Sequence, residues 1–320
     1  MNLLTECQGA GRIGISAHIR PDGDAIGSSM ALYLYLKKAL PQAKIKVYLE
    51  SLPDCFGHLK HLDEVDCVYA DEEAFDVFFA LDPAADRLGK AQPFFEGSRK
   101  KINIDHHISN KNGCGDVNVV EPFASSTAEV LYGLFEEERL DEEIAVALYT
   151  GIIHDSGVFQ YSNTTPRTME IGAKLLRYGF PFSKIIEESF YQKTYLQTQI
   201  LGRALMESVR FMDGRCIVSC VDRKMMKFYD VVPSDLDGIV NQLRNIKGID
   251  CAIFMYEIGV QEYKVSMRSN EKVDVAKVAS FFGGGGHVRA AGCTMSGNMH
   301  DVINNLSLHI EQQLKEQEDV

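Results

Sequence analysis

Four short segments in the first half of the chain carry carboxylates and imidazoles whose types and spacing could do chemistry together. They are His18-Ile19-Arg20-Pro21-Asp22-Gly23-Asp24-Ala25, then Asp82, then Asp105-His106-His107, then His154-Asp155-Ser156-Gly157. Taken singly, each has an ordinary reading. Asp22-Gly23-Asp24 is a turn with a helix cap, His106-His107 is a core imidazole beside a solvated one, and His154-Asp155 ends a helix ahead of a glycine. Jointly they say more, because each stands where an apolar run ends. Acids brought together from several such ends repel one another and raise each other's pKa values, and a divalent cation is the usual relief. Oxygen donors with an occasional imidazole and no cysteine suit Mn²⁺ before Mg²⁺, and argue against a structural zinc site.

The elements that must position these groups follow from periodicity. Strands are expected near Arg12–Ala17, Lys44–Leu49, Asp76–Leu81 and Lys101–Ile104, alternating with helical patterns. Between the first two strands, Ile26, Met30, Leu32, Leu36 and Leu40 form a broad apolar helix face. Asp141-Glu142-Glu143 places negative charge at the start of a helix running from Ile144 to about Ile153. Further helices are expected over Thr165–Arg177, Ser183–Tyr191 and Tyr195–Val209. This is an α/β chain whose N-terminal part is a mainly parallel sheet flanked by helices. In such a sheet ligand sites lie beyond the carboxyl ends of the strands, where the first three segments fall, and the fourth stands at the end of the helix from Ile144. After residue 210 the period changes to two, with strands at Arg215–Asp222, Cys251–Glu257 and Tyr263–Arg268 and a helix at Val273–Phe282, which predicts a smaller C-terminal α/β domain. The expected division is a domain over 1–190, a connecting helix over 191–210, and a second domain over 211–320.

Composition narrows the class. The 320 residues are 45% hydrophobic and 24% charged, with 33 basic against 45 acidic side chains and a net charge of −12. That balance disfavours long duplex nucleic acid and anionic membranes as partners and leaves short anionic ligands open. The eight cysteines include no closely spaced pair and read as reduced thiols. With neither a secretory leader nor a membrane-length apolar run in view, a cytoplasmic setting is expected.

The motifs His18-x-x-Pro21-Asp22-Gly23-Asp24-Ala25-x-Gly27-Ser28, Asp82, Asp105-His106-His107 and Asp155-Ser156-Gly157 resemble the successive motifs of the DHH phosphoesterase superfamily. Lys264-Val265-Ser266-Met267-Arg268-Ser269 and Gly283 to Gly286 followed by His287-Val288-Arg289-Ala290-Ala291-Gly292 resemble its DHH-associated domain, so the resemblance covers nearly the whole chain. Ser156 departs from it, standing where threonine is frequent.

The resemblance implies two divalent ions, manganese preferred and magnesium possible. One would be held by His18, Asp22, Asp82 and Asp155, the other by Asp24, Asp82, His106 and Asp155, activating water for in-line attack on phosphorus. It implies that His107 holds a phosphate oxygen or protonates the leaving group and that Asp105 orients the loop. Arg268, Ser269, Gly284, Gly285, Gly286 and His287 would hold a terminal phosphate. The glycines allow close backbone approach and Arg268 allows a bidentate grip. The compact layout resembles members that degrade short oligoribonucleotides to 5′-mononucleotides and take the 3′-phosphate from adenosine 3′,5′-bisphosphate (pAp). Two alternatives stand beside that reading: a phosphodiesterase acting on cyclic di-AMP or pApA, and a catalytically silent nucleotide sensor.

Overall fold

The computed structural model describes residues 1–70, 73–82, 87–110 and 112–318. It divides into two compact units, Met1–Gln192 and Lys193–Val320. In the first unit, strands β1 (Arg12–Ser16), β2 (Lys44–Tyr48), β3 (Val77–Leu81), β4 (Lys100–Asp105) and β5 (Val117–Val120) form a sheet in the order β2-β1-β3-β4-β5. Every pairing in it is parallel. The central strand β3 is buried along its whole length. Val77, Phe79 and Leu81 enter the main core, while Phe78 and Ala80 enter an aromatic layer with Tyr48, Phe75 and Phe95 on the other face. Burial on both faces is why this strand reads as an unbroken apolar run rather than an alternation.

The helices of this unit are α1 (Leu3–Glu6), α2 (Gly23–Ala39), α3 (Gln92–Glu96), α4 (Thr127–Leu134), α5 (Glu142–Asp155), α6 (Pro166–Leu176) and α7 (Phe182–Ile186). Helices α2 and α5 cross with backbones almost touching. A β-carbon added at Gly27 would lie 2.7 Å from the Gly151 nitrogen, and one at Gly151 would lie 2.6 Å from Asp24 Oδ1. Only glycine permits that approach, and it sets the start of α2 against the C-terminal half of α5. The strand order reverses between β1 and β3, so the segments after these two strands border the crevice that a switch in strand order opens.

The second unit holds β6 (Val209–Phe211), β7 (Cys216–Val221), β8 (Cys251–Gly259), β9 (Glu262–Ser269), β10 (Gly285–His287) and β11 (Ala290–Ser296), in the order β10-β11-β9-β8-β7-β6. Only β7 and β8 pair in parallel. Helices α8 (Tyr195–Met206), α9 (Arg223–Tyr229), α10 (Ile239–Arg244), α11 (Val275–Ser280) and α12 (Met299–Glu318) complete it. Ile200 and Ala204 of α8 and Leu243 of α10 pack on one face of the sheet with Ile217, Ala252 and Phe254. Val278 of α11 and Val302, Leu306 and Ile310 of α12 cover the other face. The helix expected over Tyr195–Val209 therefore packs within this unit, and it ends at Met206 because Val209 opens β6 and pairs with Val218. Expected Ser183–Tyr191 is broken into α7 and a wider turn at Glu187–Tyr191. Strands β5, β6, β10 and β11 and helices α1, α3, α4, α9, α10 and α12 lie outside the sequence expectations. Among the described residues, no helix is long and apolar enough to cross a membrane.

Candidate active site

The four acidic segments meet at the carboxyl edge of the parallel sheet. His18 follows β1, and Asp22 caps α2, its Oδ1 accepting from the amides of Asp24 and Ala25 at 3.1 Å each. Asp82 follows β3 with a left-handed backbone, φ +66°, where only a few per cent of non-glycine residues lie. His106 and His107 follow β4, and Asp155 is the last residue of α5. His18 Nε2 lies 3.7 Å from Asp22 Oδ2 and 3.3 Å from Asp82 Oδ2. His106 Nε2 lies 3.0 Å from Asp155 Oδ2 and 3.5 Å from Asp82 Oδ1. Three subsets bring their ligating atoms within 4.8 Å of one another: His18 with Asp22 and Asp82, Asp24 with His106 and Asp155, and Asp82 with His106 and His107.

Asp105 organises the loop. Its Oδ1 accepts from the amides of His106 (2.7 Å) and His107 (2.9 Å) and from His107 Nδ1 (2.8 Å), while Oδ2 accepts from Asn110 Nδ2 at 2.7 Å. It belongs to none of the three subsets.

Two features show that the pocket fits cations. First, His18 Nδ1 sits 2.8 Å from the Ile19 carbonyl and His106 Nδ1 sits 3.2 Å from the Ala124 carbonyl. A carbonyl only accepts, so both Nδ1 atoms carry the proton and both Nε2 atoms face carboxylate oxygens. His106 Nε2 is buried there without an aligned hydrogen bond. A lone pair aimed at carboxylates needs a proton or a metal ion between them.

Second, burial is severe. Asp24 is 0% and Asp82 2% exposed. Burial, followed by the charges of Asp82 and Asp155, pushes the Asp24 carboxyl well above its usual range. Burial also raises Asp155, with Asp22 and Asp82 adding to it and His106 opposing. Burial alone would depress His18 and His106. The close carboxylates of Asp22 and Asp82 instead carry His18 up to about 10, and that of Asp155, with the charges of Asp82 and Asp24, does the same for His106. Protons take the role a cation would fill.

Thr127, absent from the sequence reading, joins two of these acids. Its amide donates to Asp24 Oδ2 at 2.7 Å and its hydroxyl to Asp82 Oδ1 at 2.9 Å, while the Ala128 amide donates to Asp24 Oδ1 at 3.0 Å. Asp24 thus accepts from the first amides of α4. The legible signal was Ser126-x-x-Glu129, a capping pattern whose Ser126 hydroxyl accepts from the Glu129 amide at 3.1 Å.

In the second unit, register sets His287 opposite Ala290 and Ala290 opposite Arg268, so the three lie abreast on β10, β11 and β9. Arg268 is held by Nε donating to Asn241 Oδ1 (3.1 Å) and Nη1 donating to the Met267 carbonyl (3.0 Å). His287 and Gly285 are exposed, whereas Ser269 is buried, its hydroxyl 3.5 Å from the Val288 carbonyl. The glycine run is an edge strand rather than a free loop. A β-carbon on Gly286 (φ +146°) would lie 2.4 Å from the Ala290 oxygen, and one on Gly284 2.2 Å from the Gly292 oxygen, while Gly285 has open space. Two of the three glycines are thus required by packing against β11.

A parallel α/β sheet carrying a carboxylate–histidine centre at its switch point, followed by a mixed-sheet unit, defines a class of metal-dependent hydrolases. Residues 12–152 match the DHH family N-terminal domain and residues 213–316 match the DHHA1 domain. The chain belongs to the DHH family. It is 34% identical over 312 residues to the bifunctional oligoribonuclease and PAP phosphatase NrnA of Thermus thermophilus, covering 93% of this chain and 89% of that one. It is 28% identical to the protein of the same name from Bacillus subtilis, over 87% of each chain. In fold it resembles an exopolyphosphatase-related protein from Bacteroides fragilis, with TM-score 0.88 and 24% identity over 98% of this chain and 95% of that one.

Proposed function

We propose that this chain hydrolyses short oligoribonucleotides to 5′-mononucleotides and pAp to AMP, using two divalent ions, manganese before magnesium. The observation that carries this is the gathering of His18, Asp22, Asp24, Asp82, His106 and Asp155 at one sheet edge, with both histidine Nε2 atoms facing carboxylates. The names of the relatives supply the substrate classes. A cytoplasmic setting belongs to the same reading.

His18, Asp22, Asp82 and Asp155 would hold one ion and Asp24, Asp82, His106 and Asp155 the other. When bound, such a pair lowers the pKa of water and offsets charge on both sides of an in-line phosphoryl displacement. Asp105 fixes His107 through Nδ1, so that His107 can orient a phosphate oxygen or deliver a proton to the departing oxygen. Arg268, Gly284, Gly285, Gly286 and His287, with Ser269 beneath them, engage a terminal phosphate. Arg268 enters with its fork already oriented by Asn241. Specificity for short substrates follows from anchoring that terminal group.

The test is relative kcat/KM with Mn²⁺ on a five-nucleotide RNA, pAp, pApA and cyclic di-AMP. The RNA and pAp are expected to lead. Preference for cyclic di-AMP or pApA would redirect the substrate assignment, and ligand binding without turnover of any of the four would make the chain a sensor.

A further inference from the structure

We infer that Phe123 and the pocket behind it form a stacking site for a nucleobase flanking the scissile phosphate, an inference that rests on the phosphodiester reading above. Phe123 is the most exposed aromatic side chain among the described residues, at 91%, yet its backbone is firmly held. Glu121-Pro122-Phe123-Ala124 is a turn closed by the Ala124 amide donating to the Glu121 carbonyl at 2.9 Å. Both ends are tied to the segment bearing the metal-centre histidines. The Glu121 amide donates to the Asp105 carbonyl at 3.0 Å, and the Ala124 carbonyl accepts from His106 Nδ1 at 3.2 Å. Proline at the second turn position presets the backbone, so the Phe123 Cα is fixed one residue from a group that contacts a proposed metal ligand.

The ring borders a cavity of about 490 Å³. Val120, Pro122 and Phe123 supply one apolar wall, and Arg167 and Glu129 supply a polar one. Arg167 is tethered at its lining, Nη1 lying 2.9 Å from Glu121 Oε2 and Nε 3.7 Å from Glu129 Oε1. An open aromatic face on a turn hydrogen-bonded to the segment that bears the metal-centre histidines matches how single-stranded nucleic acid is held. Every base offers a π-face, so stacking adds affinity without selecting sequence. It suits an enzyme that accepts any short oligomer, and the held turn leaves only the side-chain torsions of Phe123 to be ordered on binding.

The chain contains no tryptophan, so Phe123→Trp creates a single reporter. With Mn²⁺ present, AMP is expected to quench its emission and ribose 5-phosphate is not. In parallel, Phe123→Ala is expected to lower kcat/KM for pAp and dinucleotide RNA by about 5- to 150-fold, the range for one base on an aromatic face. It should leave turnover of the bisphosphate lacking its base unchanged, and Phe123→Tyr should restore activity. Emission indifferent to AMP, or an alanine variant equal to wild type on base-bearing substrates, overturns the inference while wild-type turnover still upholds the hydrolase reading. Quenching by AMP in a chain that cleaves nothing upholds the base site and sinks the hydrolase reading.

Discussion

The two units place their functional groups under opposite conditions. In the first, six acids and histidines from the ends of β1, β3 and β4, the start of α2 and the end of α5 converge in a pocket where Asp24 and Asp82 are cut off from water. Water cannot screen the charges of these two, so the site demands protons or metal ions. In the second, His287 and Gly285 lie exposed on an edge strand beside Arg268, whose guanidinium is braced by a neutral amide. Such groups await an anion without needing one for stability. The difference teaches that the first site is built around strong local electrostatics and the second around geometry.

The largest break in that contrast comes from Asp82→Ala. Hydrolysis is expected to fall by about 10³-fold or more, as for loss of a group on which several others act. The metal-free variant should melt lower than wild type, because the buried Thr127 hydroxyl and the imidazoles of His18 and His106 lose the carboxylate they face. Activity assays and calorimetry in chelator check the two halves.

Next, Thr127→Val removes the hydroxyl on Asp82 while keeping the side-chain shape. Mn²⁺ affinity should weaken by about 10- to 100-fold, as for partners that orient ligands. Titration calorimetry reads it, and Thr127→Ser should recover most of the loss.

Arg268→Lys sharpens the other side. The bidentate grip is lost, and kcat/KM on phosphate-terminated substrates should fall by about tenfold or more, with Mn²⁺ affinity unchanged. A change in metal affinity would contradict the assignment of Arg268 to the phosphate.

The smallest effect is a control on ordinary charge pairs. Glu64 is held down to about 2, first by its hydrogen bonds to Lys37 and also by those to Tyr33. Its folded value is depressed, so its contribution is present above the unfolded pKa near 4.5 and is lost as pH falls toward 2. Because the pair is largely exposed, Glu64→Gln should cost less than about 1 kcal/mol at pH 7, and the difference in Tm should vanish on acidification.

Much of this was legible from the chain because parallel strands end at one edge. The apolar run Val77 to Leu81 identifies a strand, and the next residue, Asp82, must then lie at the ligand edge. What stayed hidden depends on contacts between distant segments. β5 has four residues with Asn118 inside it, too short for a period to show. Thr127 gains its role only when α4 meets Asp24, 103 positions away. The glycine run was readable as a place of close approach, but Gly284 and Gly286 are needed first by β11, which only the register between strands reveals.

The most direct test of the account is calorimetric titration of the chelator-treated chain with Mn²⁺, alongside Asp24→Asn. Two ions per chain are predicted for wild type, with uptake of one abolished in the variant. Saturation without bound metal, or a variant that binds as wild type does, would contradict it.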